Sequence, residues 1–310
     1  MAPDRGSEAV LSPPMPPAAP LPGRPAAPRR ARLRGLVRGL PVGSALIAFL
    51  FLVAALFAPW IAPHDPNEAS FLVALNPPFW AENGDLAYAL GADQLGRDIL
   101  SRLIYGAQLS LLVSFFAIAI AGAVGILLGI AAGYAGGAID SLIMRIVDAF
   151  LAMPFILMAL GFVAALGTGV GNIIIVMAIT NWARYARLVR GEVLSVKQRD
   201  HVALARVAGL PRWRIALRHI LPNVANSIII LATLDLGRVI ILEASLSFLG
   251  LGVQPPDISW GLMLADGRSY MTVAWWLTVM PGLAILFTVL SLNILGDWLR
   301  DRLDPRQQMD

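Results

Sequence analysis

Residues 200–223 form a basic, polar segment between two long apolar segments, and their types suit the binding of a partner. Trp213, Leu217 and Ile220 recur at helical spacing, so one face of a short helix can bury in a partner's groove. An ordinary loop lying on lipid headgroups is the alternative interpretation. Positive charge in the same segment comes from Arg206, Arg212, Arg214 and Arg218.

The pattern within this segment predicts two short helices joined by a turn. The first is amphipathic, and Gly209 permits the turn after it. Pro211 stands where a second helix can begin, since the first position of a helix needs no backbone N–H. Pro222 is expected to end that second helix.

The residue types that support enzymatic chemistry are scarce. His64, His201 and His219 lie far apart and give no metal-ligand spacing. Lys197 is the only lysine and follows Val196, so the Gly-Lys step of a phosphate-binding P-loop is absent. The chain has no cysteine, which excludes disulfides and thiolate sites. We therefore predict a protein that is not an enzyme and binds no metal or cofactor.

The composition indicates an integral membrane protein, because 57% of residues are hydrophobic, 14% are charged and the mean hydropathy is +0.71. Six windows are long and apolar enough to cross a bilayer as helices. The predicted fold class is thus an all-α membrane protein with six transmembrane helices. The windows lie at about 42–62, 107–133, 142–165, 170–190, 223–248 and 272–297.

The distribution of Lys and Arg predicts the orientation, since basic residues near span ends stay in the cytoplasm. With both termini inside, 20 of the 24 Lys and Arg residues are cytoplasmic. Only Arg97, Arg102 and Arg268 then lie outside, with Arg238 within a span. The N- and C-termini are therefore expected in the cytoplasm, on the same side as residues 200–223.

The chain divides into four regions. Residues 1–40 are rich in Pro, Ala and Arg, which predicts a disordered cytoplasmic arm. Residues 41–106 would hold the first span, an outside loop and an interfacial helix that ends the loop. Residues 107–298 would form the main membrane domain, with the polar segment at about 198–222, and residues 299–310 a cytoplasmic tail. In the second outside loop, Trp260 is expected near the headgroups.

Charged residues occur within the predicted spans. Asp235, Arg238 and Glu243 are costly at membrane depth unless they are paired or face water. Asp235 and Arg238 can pair on one helix face. These residues mark either a polar passage or a structural pair that fixes the bundle, and the sequence leaves both open.

Glycines recur every four residues along the second predicted span and its end. Small residues on one helix face let two helix backbones approach closely, so close helix packing is predicted. A phosphate-binding role is disfavoured, because such glycines curl into a loop. The four residues are Gly125, Gly129, Gly133 and Gly137.

The polar segment resembles the cytoplasmic coupling motif of ATP-binding-cassette (ABC) importer permeases. That pattern is Glu-Ala-Ala, three residues, Gly, nine residues, then Ile-x-Leu-Pro, and Ala205, Gly209, Leu221 and Pro222 match it. Ala203 stands where the pattern has Glu. Leu204 replaces an Ala, and His219 replaces the Ile.

Three further stretches resemble the C-type permease subunit of dipeptide and oligopeptide importers. They are LGADQLGRDILSRLIYGAQLSLLVS, EASLSFLGLGVQPPDISWGLML from Glu243, and the terminal GDWLRDRLDPR. The resemblance covers about residues 40–306. It implies a type I ABC importer permease core with cytoplasmic coupling helices, in the inner membrane of a bacterium.

The same resemblance implies partners and cargo. The partners would be a homologous second permease of the B type, two cytoplasmic ATPase subunits that bind ATP and Mg, and an extracytoplasmic substrate-binding protein. The expected cargo is dipeptides or oligopeptides, with nickel or glutathione as the alternative. An ion-coupled secondary transporter is the alternative from another class. The residues expected to couple to the ATPases are Ala203, Ala205, Arg206, Gly209, Leu210, Pro211, Arg212, Arg214, Arg218, His219, Leu221 and Pro222.

Overall fold

The computed structural model describes residues 39–303, and within them the regular structure is helical, with no strand. The predicted arm at 1–38 and the tail at 304–310 lie outside the described residues. The longer helices are α1 (Val42–Leu56), α3 (Ile99–Ala135), α4 (Gly137–Ala152), α5 (Phe155–Leu166), α6 (Val170–Val196), α9 (Leu221–Phe248) and α11 (Trp276–Leu303). The short ones are α2 (Ala58–Ile61), α7 (Asp200–Val207), α8 (Arg212–Ile215) and α10 (Trp260–Gly267).

The structure confirms an all-α membrane fold, and helix occupies each of the six predicted windows. Three helices, α3, the continuous stretch Arg212–Phe248 and α11, are long and apolar enough to cross a membrane. The pair α4 and α5 gives a fourth crossing if it is one broken span. Helix α1 is apolar but only 15 residues long, and α6 is less apolar because three arginines occupy its second half.

The window predicted as a span at 142–165 is occupied by two helices, α4 and α5, with a break between them. The chain bends by 98° between α4 and α5. Met153 is extended, with ψ at 134°, directly before Pro154. A proline disfavours helical geometry in the residue before it and cannot donate a backbone hydrogen bond, which explains why the helix breaks here.

The interfacial helix predicted before the second span is not a separate helix, because α3 begins at Ile99 and continues without a break to Ala135. Asp98 caps its start by accepting from the backbone N–H of Ser101 at 2.9 Å. Arg102 is buried instead of facing water, and its guanidinium lies 3.7 Å from the carboxylates of Asp93 and Asp266. These ion pairs fasten the loop that contains Asp93 to α3 and to the helix Trp260–Gly267.

Trp260, which the sequence places near the headgroups, is fully buried within the protein. Its ring meets Phe51 edge-on at 5.5 Å, and its Nε1–H donates to the carbonyl oxygen of Leu103 at 3.0 Å. Gly106 provides the space, since a Cβ there would lie 2.8 Å from the indole ring. Trp260 therefore joins α1, α3 and α10 in one core.

The glycine repeat packs α3 against α6, as predicted for three of its four members. A Cβ on Gly125 would lie 2.6 Å from the carbonyl oxygen of Trp182, and one on Gly129 would lie 2.7 Å from that of Ala186. Gly133 is equally tight. Gly137 departs from the prediction because it begins α4 at a φ of 56°, with open space around it.

Candidate functional site

The polar segment folds locally as predicted up to its second helix. Helix α7 ends at Val207, Gly209 takes a left-handed φ of 75°, and Pro211 caps the start of α8. Two hydrogen bonds close the end of α7. The N–H of Gly209 donates to the Arg206 carbonyl at 3.0 Å, and that of Leu210 to the Ala205 carbonyl at 3.2 Å. This is the arrangement that favours glycine after a helix.

Pro222 does not end the second helix, contrary to the prediction. The chain widens into a π turn over Ala216–Ile220 and continues into α9. The N–H of Leu221 bonds to the carbonyl of Ala216, five residues earlier. A wider turn relaxes the backbone next to a proline, whose missing N–H would otherwise leave a gap in the helix. Residues 212–248 are therefore one rod that runs from the polar segment into the membrane.

One side of the segment is buried against the ends of α6 and α9. Val202, Ala205, Ile215 and Ile220 are buried in a cluster with residues of both helices, including Val193. Ile220 was predicted to face a partner, and this is wrong because it belongs to the chain's own core. The buried side fastens the segment to the helices that it joins.

The opposite side exposes apolar residues on both short helices. Trp213 is 62% exposed and Leu217 is 53% exposed, as the predicted partner-binding face requires. Leu204 and Val207 on α7 are 68% and 86% exposed and extend this face. The guanidinium of Arg214 lies 5.3 Å from the Trp213 ring centre. We call Leu204, Val207, Trp213 and Leu217 the exposed apolar face.

The partner-binding face predicted from the sequence did not include Leu204 or Val207. Their spacing of three places both residues on one side of α7, which was the available signal. Exposed apolar side chains among exposed arginines are typical of a protein interaction site.

The remaining predicted coupling residues surround this face at different depths. Arg206 and Arg212 line a cavity of about 510 Å³ together with Lys197 and Tyr134. The His219 ring lies 6.4 Å from that of His201. Exposed members are Ala203, Arg206, Gly209, Pro211, Arg212, Arg214, Arg218 and Pro222, and partly buried members are Leu210, His219 and Leu221.

A second polar group lies midway along α9. Asp235 is buried and pairs with Arg238 at 3.7 Å, one turn along the helix, as its spacing predicted. Its closer partner is Arg184 on α6, whose Nη1 donates to Asp235 Oδ1 at 2.6 Å. Arg184 was not predicted as a partner of Asp235, because a contact between distant helices leaves no local pattern. Arg238 Nη1 also donates to Asn181 Oδ1 at 3.2 Å.

Glu243 is separate from this group. Its carboxyl is fully buried and is bonded by Ser247 Oγ at 2.7 Å and Ser110 Oγ at 3.3 Å. The Ser110 hydroxyl joins α3 to α9, whereas Ser247 lies one turn from Glu243 on α9 itself. Glu243 therefore fits the structural alternative, whereas Asp235 and Arg238 lie beside a cavity that Arg238 lines. Among residues 39–303 no cluster of three His, Asp or Glu residues has the geometry of a metal site.

The chain is similar to a family model and to several known permease proteins. The family model described as "binding-protein-dependent transport system inner membrane component" matches residues 125–309. The di/tripeptide transport system permease protein of Pseudomonas aeruginosa is 46% identical over 265 residues, covering 86% of this chain and 88% of that protein. The glutathione transport system permease protein of Escherichia coli O6:K15:H31 is 48% identical, covering 85% of each chain.

Two further comparisons bear on family and fold. The probable D,D-dipeptide transport system permease protein of Escherichia coli K12 is 41% identical, covering 89% of this chain and 91% of that protein. A solved inward-facing structure of the MetNI methionine ABC transporter aligns with a TM-score of 0.54 at 16% identity. It covers 66% of this chain and 96% of the matched chain. This likeness supports the predicted type I permease fold.

Proposed function

The chain belongs to the family of binding-protein-dependent transport system inner membrane components, and we propose that it carries peptides across the membrane as one of two permeases in an ATP-driven importer. It is a permease subunit of an ABC importer, a multi-pass protein of the bacterial inner membrane and not itself an enzyme. This membership removes the ion-coupled secondary transporter, which the sequence alone had left as an alternative.

Peptides are the cargo class that the relatives support. The names of the relatives specify di/tripeptides, D,D-dipeptides and glutathione, which is itself a small peptide derivative. The 48% identity to glutathione permeases makes glutathione the second candidate. Its chemistry overlaps with that of a tripeptide, so one type of path serves both.

The proposed mechanism rests on one observation, that one side of the polar segment is buried and the other is exposed. Its buried side is packed on α6 and α9, whereas its exposed apolar face is free in this chain. A cleft on a cytoplasmic ATPase would cover that face. When two ATPases close on ATP, the segment moves with them, and the continuous rod of residues 212–248 transmits the movement into the membrane. Access then alternates between the two sides.

The partners follow from this mechanism. A homologous second permease completes the path, two ATPase subunits bind ATP and Mg, and an extracytoplasmic protein delivers the peptide. The distribution of arginines supports an arrangement in which both termini and the polar segment face the cytoplasm. The arginines of the segment would meet acidic groups on the ATPases and steer docking.

Transport by the complete importer in proteoliposomes tests this function. We expect uptake of a labelled dipeptide or tripeptide that requires the ATPases, ATP on their side and the binding protein. Glutathione is expected to compete, and a nickel complex is not. Uptake that proceeds without ATPases under an ion gradient, or an importer that accepts nickel and no peptide, would contradict the proposal.

A further inference from the structure

A cavity of about 660 Å³ opens beside the middle of α6 and α9. Three of its wall residues are arginines, and the others are Leu151, Leu188 and Leu231. We call it the arginine cavity. It lies beside Asp235, midway along a helix that is long and apolar enough to cross the membrane. Arg184 and Arg187, counted as cytoplasmic from the sequence, therefore lie at this depth with Arg238. The three arginines are Arg184, Arg187 and Arg238.

The arginines of this cavity outnumber the carboxylates that pair with them, three to two. Arg184 and Arg238 share Asp235, and Arg187 pairs with Asp148 on α4. Within residues 39–303 these are the carboxylates in ion-pair distance of the three guanidinium groups. One positive charge is left over, and it is the charge that a single bound carboxylate would balance.

The guanidinium groups are also open to a ligand. The side chains of Arg184, Arg187 and Arg238 are 35%, 50% and 41% exposed, whereas Asp235 is almost fully buried. In the described contacts each guanidinium uses one of its nitrogens. Since an arginine carries five N–H donors, donors on every one of the three remain free to face the cavity.

The position of these free donors within the membrane restricts what they can face. A charged side chain exposed to hydrocarbon at mid-span is strongly unfavourable, so such residues face a bundle interior or a water-filled path. A volume of several hundred Å³ is that of a small-molecule site. Guanidinium groups match the geometry of carboxylates through paired N–H donors.

We propose that the arginine cavity is a station on the translocation path that binds the carboxylate of the cargo, and that Arg238 is the residue that contacts it. This rests on the proposed function, and it narrows the cargo to peptides with a free C-terminal carboxylate. Asp235 already pairs with Arg184 and Arg238. These arginines therefore bind the cargo carboxylate weakly enough for the cargo to be released. Recognition by the backbone terminus leaves the peptide's side chains unrestricted.

The test compares a dipeptide with its C-terminal amide in the complete importer. Uptake by Arg238→Gln is divided by wild-type uptake for the same peptide, at saturating binding protein, so the binding protein's own preference cancels. We expect the free peptide to lose about tenfold, the value of one charge-assisted hydrogen bond, and the amide to lose much less. Arg238→Lys should recover part of the free-peptide rate. Arg145→Gln is the matched control, since Arg145 is an exposed arginine outside this cavity.

A second measurement bypasses the binding protein. Saturation-transfer NMR on the purified complete transporter compares direct binding of the same dipeptide and amide. The dipeptide signal should weaken in Arg238→Gln. Equal losses for both peptides would assign Arg238 to folding or to the second permease, and no loss for either would remove the site. Either result overturns the inference, whereas a wild-type importer that takes up no peptide overturns the proposed function and this inference with it.

Discussion

The backbone N–H of Leu210 donates to the carbonyl oxygen of Ala205 at 3.2 Å, across the left-handed turn at Gly209. Ala205 is buried against the spans, while Leu204 and Val207 beside it are exposed. This bond therefore fixes the orientation of the exposed apolar face relative to α6 and α9. Under the proposed function we expect a displacement of that face to be transmitted to the membrane helices.

Replacement of Gly209 by valine is expected to uncouple the importer. A left-handed backbone costs an ordinary residue about 1–2 kcal/mol, and a β-branched side chain resists it further. The turn should rearrange, so peptide uptake per ATP hydrolysed is expected to fall severalfold in proteoliposomes. Gly191→Val is the matched control, because Gly191 also has open space around it but lies in a regular helix. Equal behaviour of the two variants would contradict a special role for the turn.

Trp213→Ala is expected to weaken binding of the ATPases. A large exposed aromatic that fills a partner's pocket commonly contributes about 2 kcal/mol or more, which is roughly 30-fold in affinity. The measurement is the Kd of purified ATPase for the permease pair in nanodiscs. Trp60→Ala, at an exposed position on α2, should leave that Kd unchanged. An unchanged Kd for Trp213→Ala would remove this residue from the interface.

Gly129→Ala is expected to destabilise the packing of α3 on α6. The added methyl would lie 2.7 Å from the Ala186 carbonyl oxygen, and overpacking of this kind costs about 1–3 kcal/mol. The Tm of the purified protein in detergent should fall by several degrees. Gly171→Ala, where the space is open, should hold or raise the Tm because alanine favours helix. A Tm for Gly129→Ala that matches this control would contradict the close approach.

Asp235→Asn is expected to destabilise the chain, since it leaves the Arg184 guanidinium without its charged partner. Because Arg184 is 35% exposed, the loss is that of a hydrogen bond to a charged group, about 1.5–3 kcal/mol. The double variant Arg184→Gln, Asp235→Asn should regain much of the lost stability in denaturation experiments. Strictly additive losses would show that the two groups do not act as a pair.

The sequence predicted the helices, the turn at Gly209 and the close packing at Gly125 and Gly129. These features depend on local periodicity, on backbone freedom and on small residues at helical spacing, all of which are local patterns. The family membership followed from segments whose residue order is itself distinctive.

The sequence could not predict features that depend on contacts between distant elements. Arg102 was expected at the interface, yet Asp266 lies 3.7 Å from its guanidinium and allows it to be buried. Arg184 reaches Asp235 across 51 positions of the chain. Pro222 was expected to stop a helix, and only the π turn before it explains why it does not. Pro154 could have predicted the bend, but the apolar composition of its window favoured a single span instead.

Photo-crosslinking from position 213 tests the central claim most directly, that the exposed apolar face of this segment docks on an ATPase inside the cell. Trp213→p-benzoylphenylalanine in the complete importer should give, on irradiation, a covalent adduct with the mass of this chain plus one ATPase subunit. The same substitution at Trp60 should give none. An adduct from position 213 with the binding protein, or with lipid alone, would contradict the account.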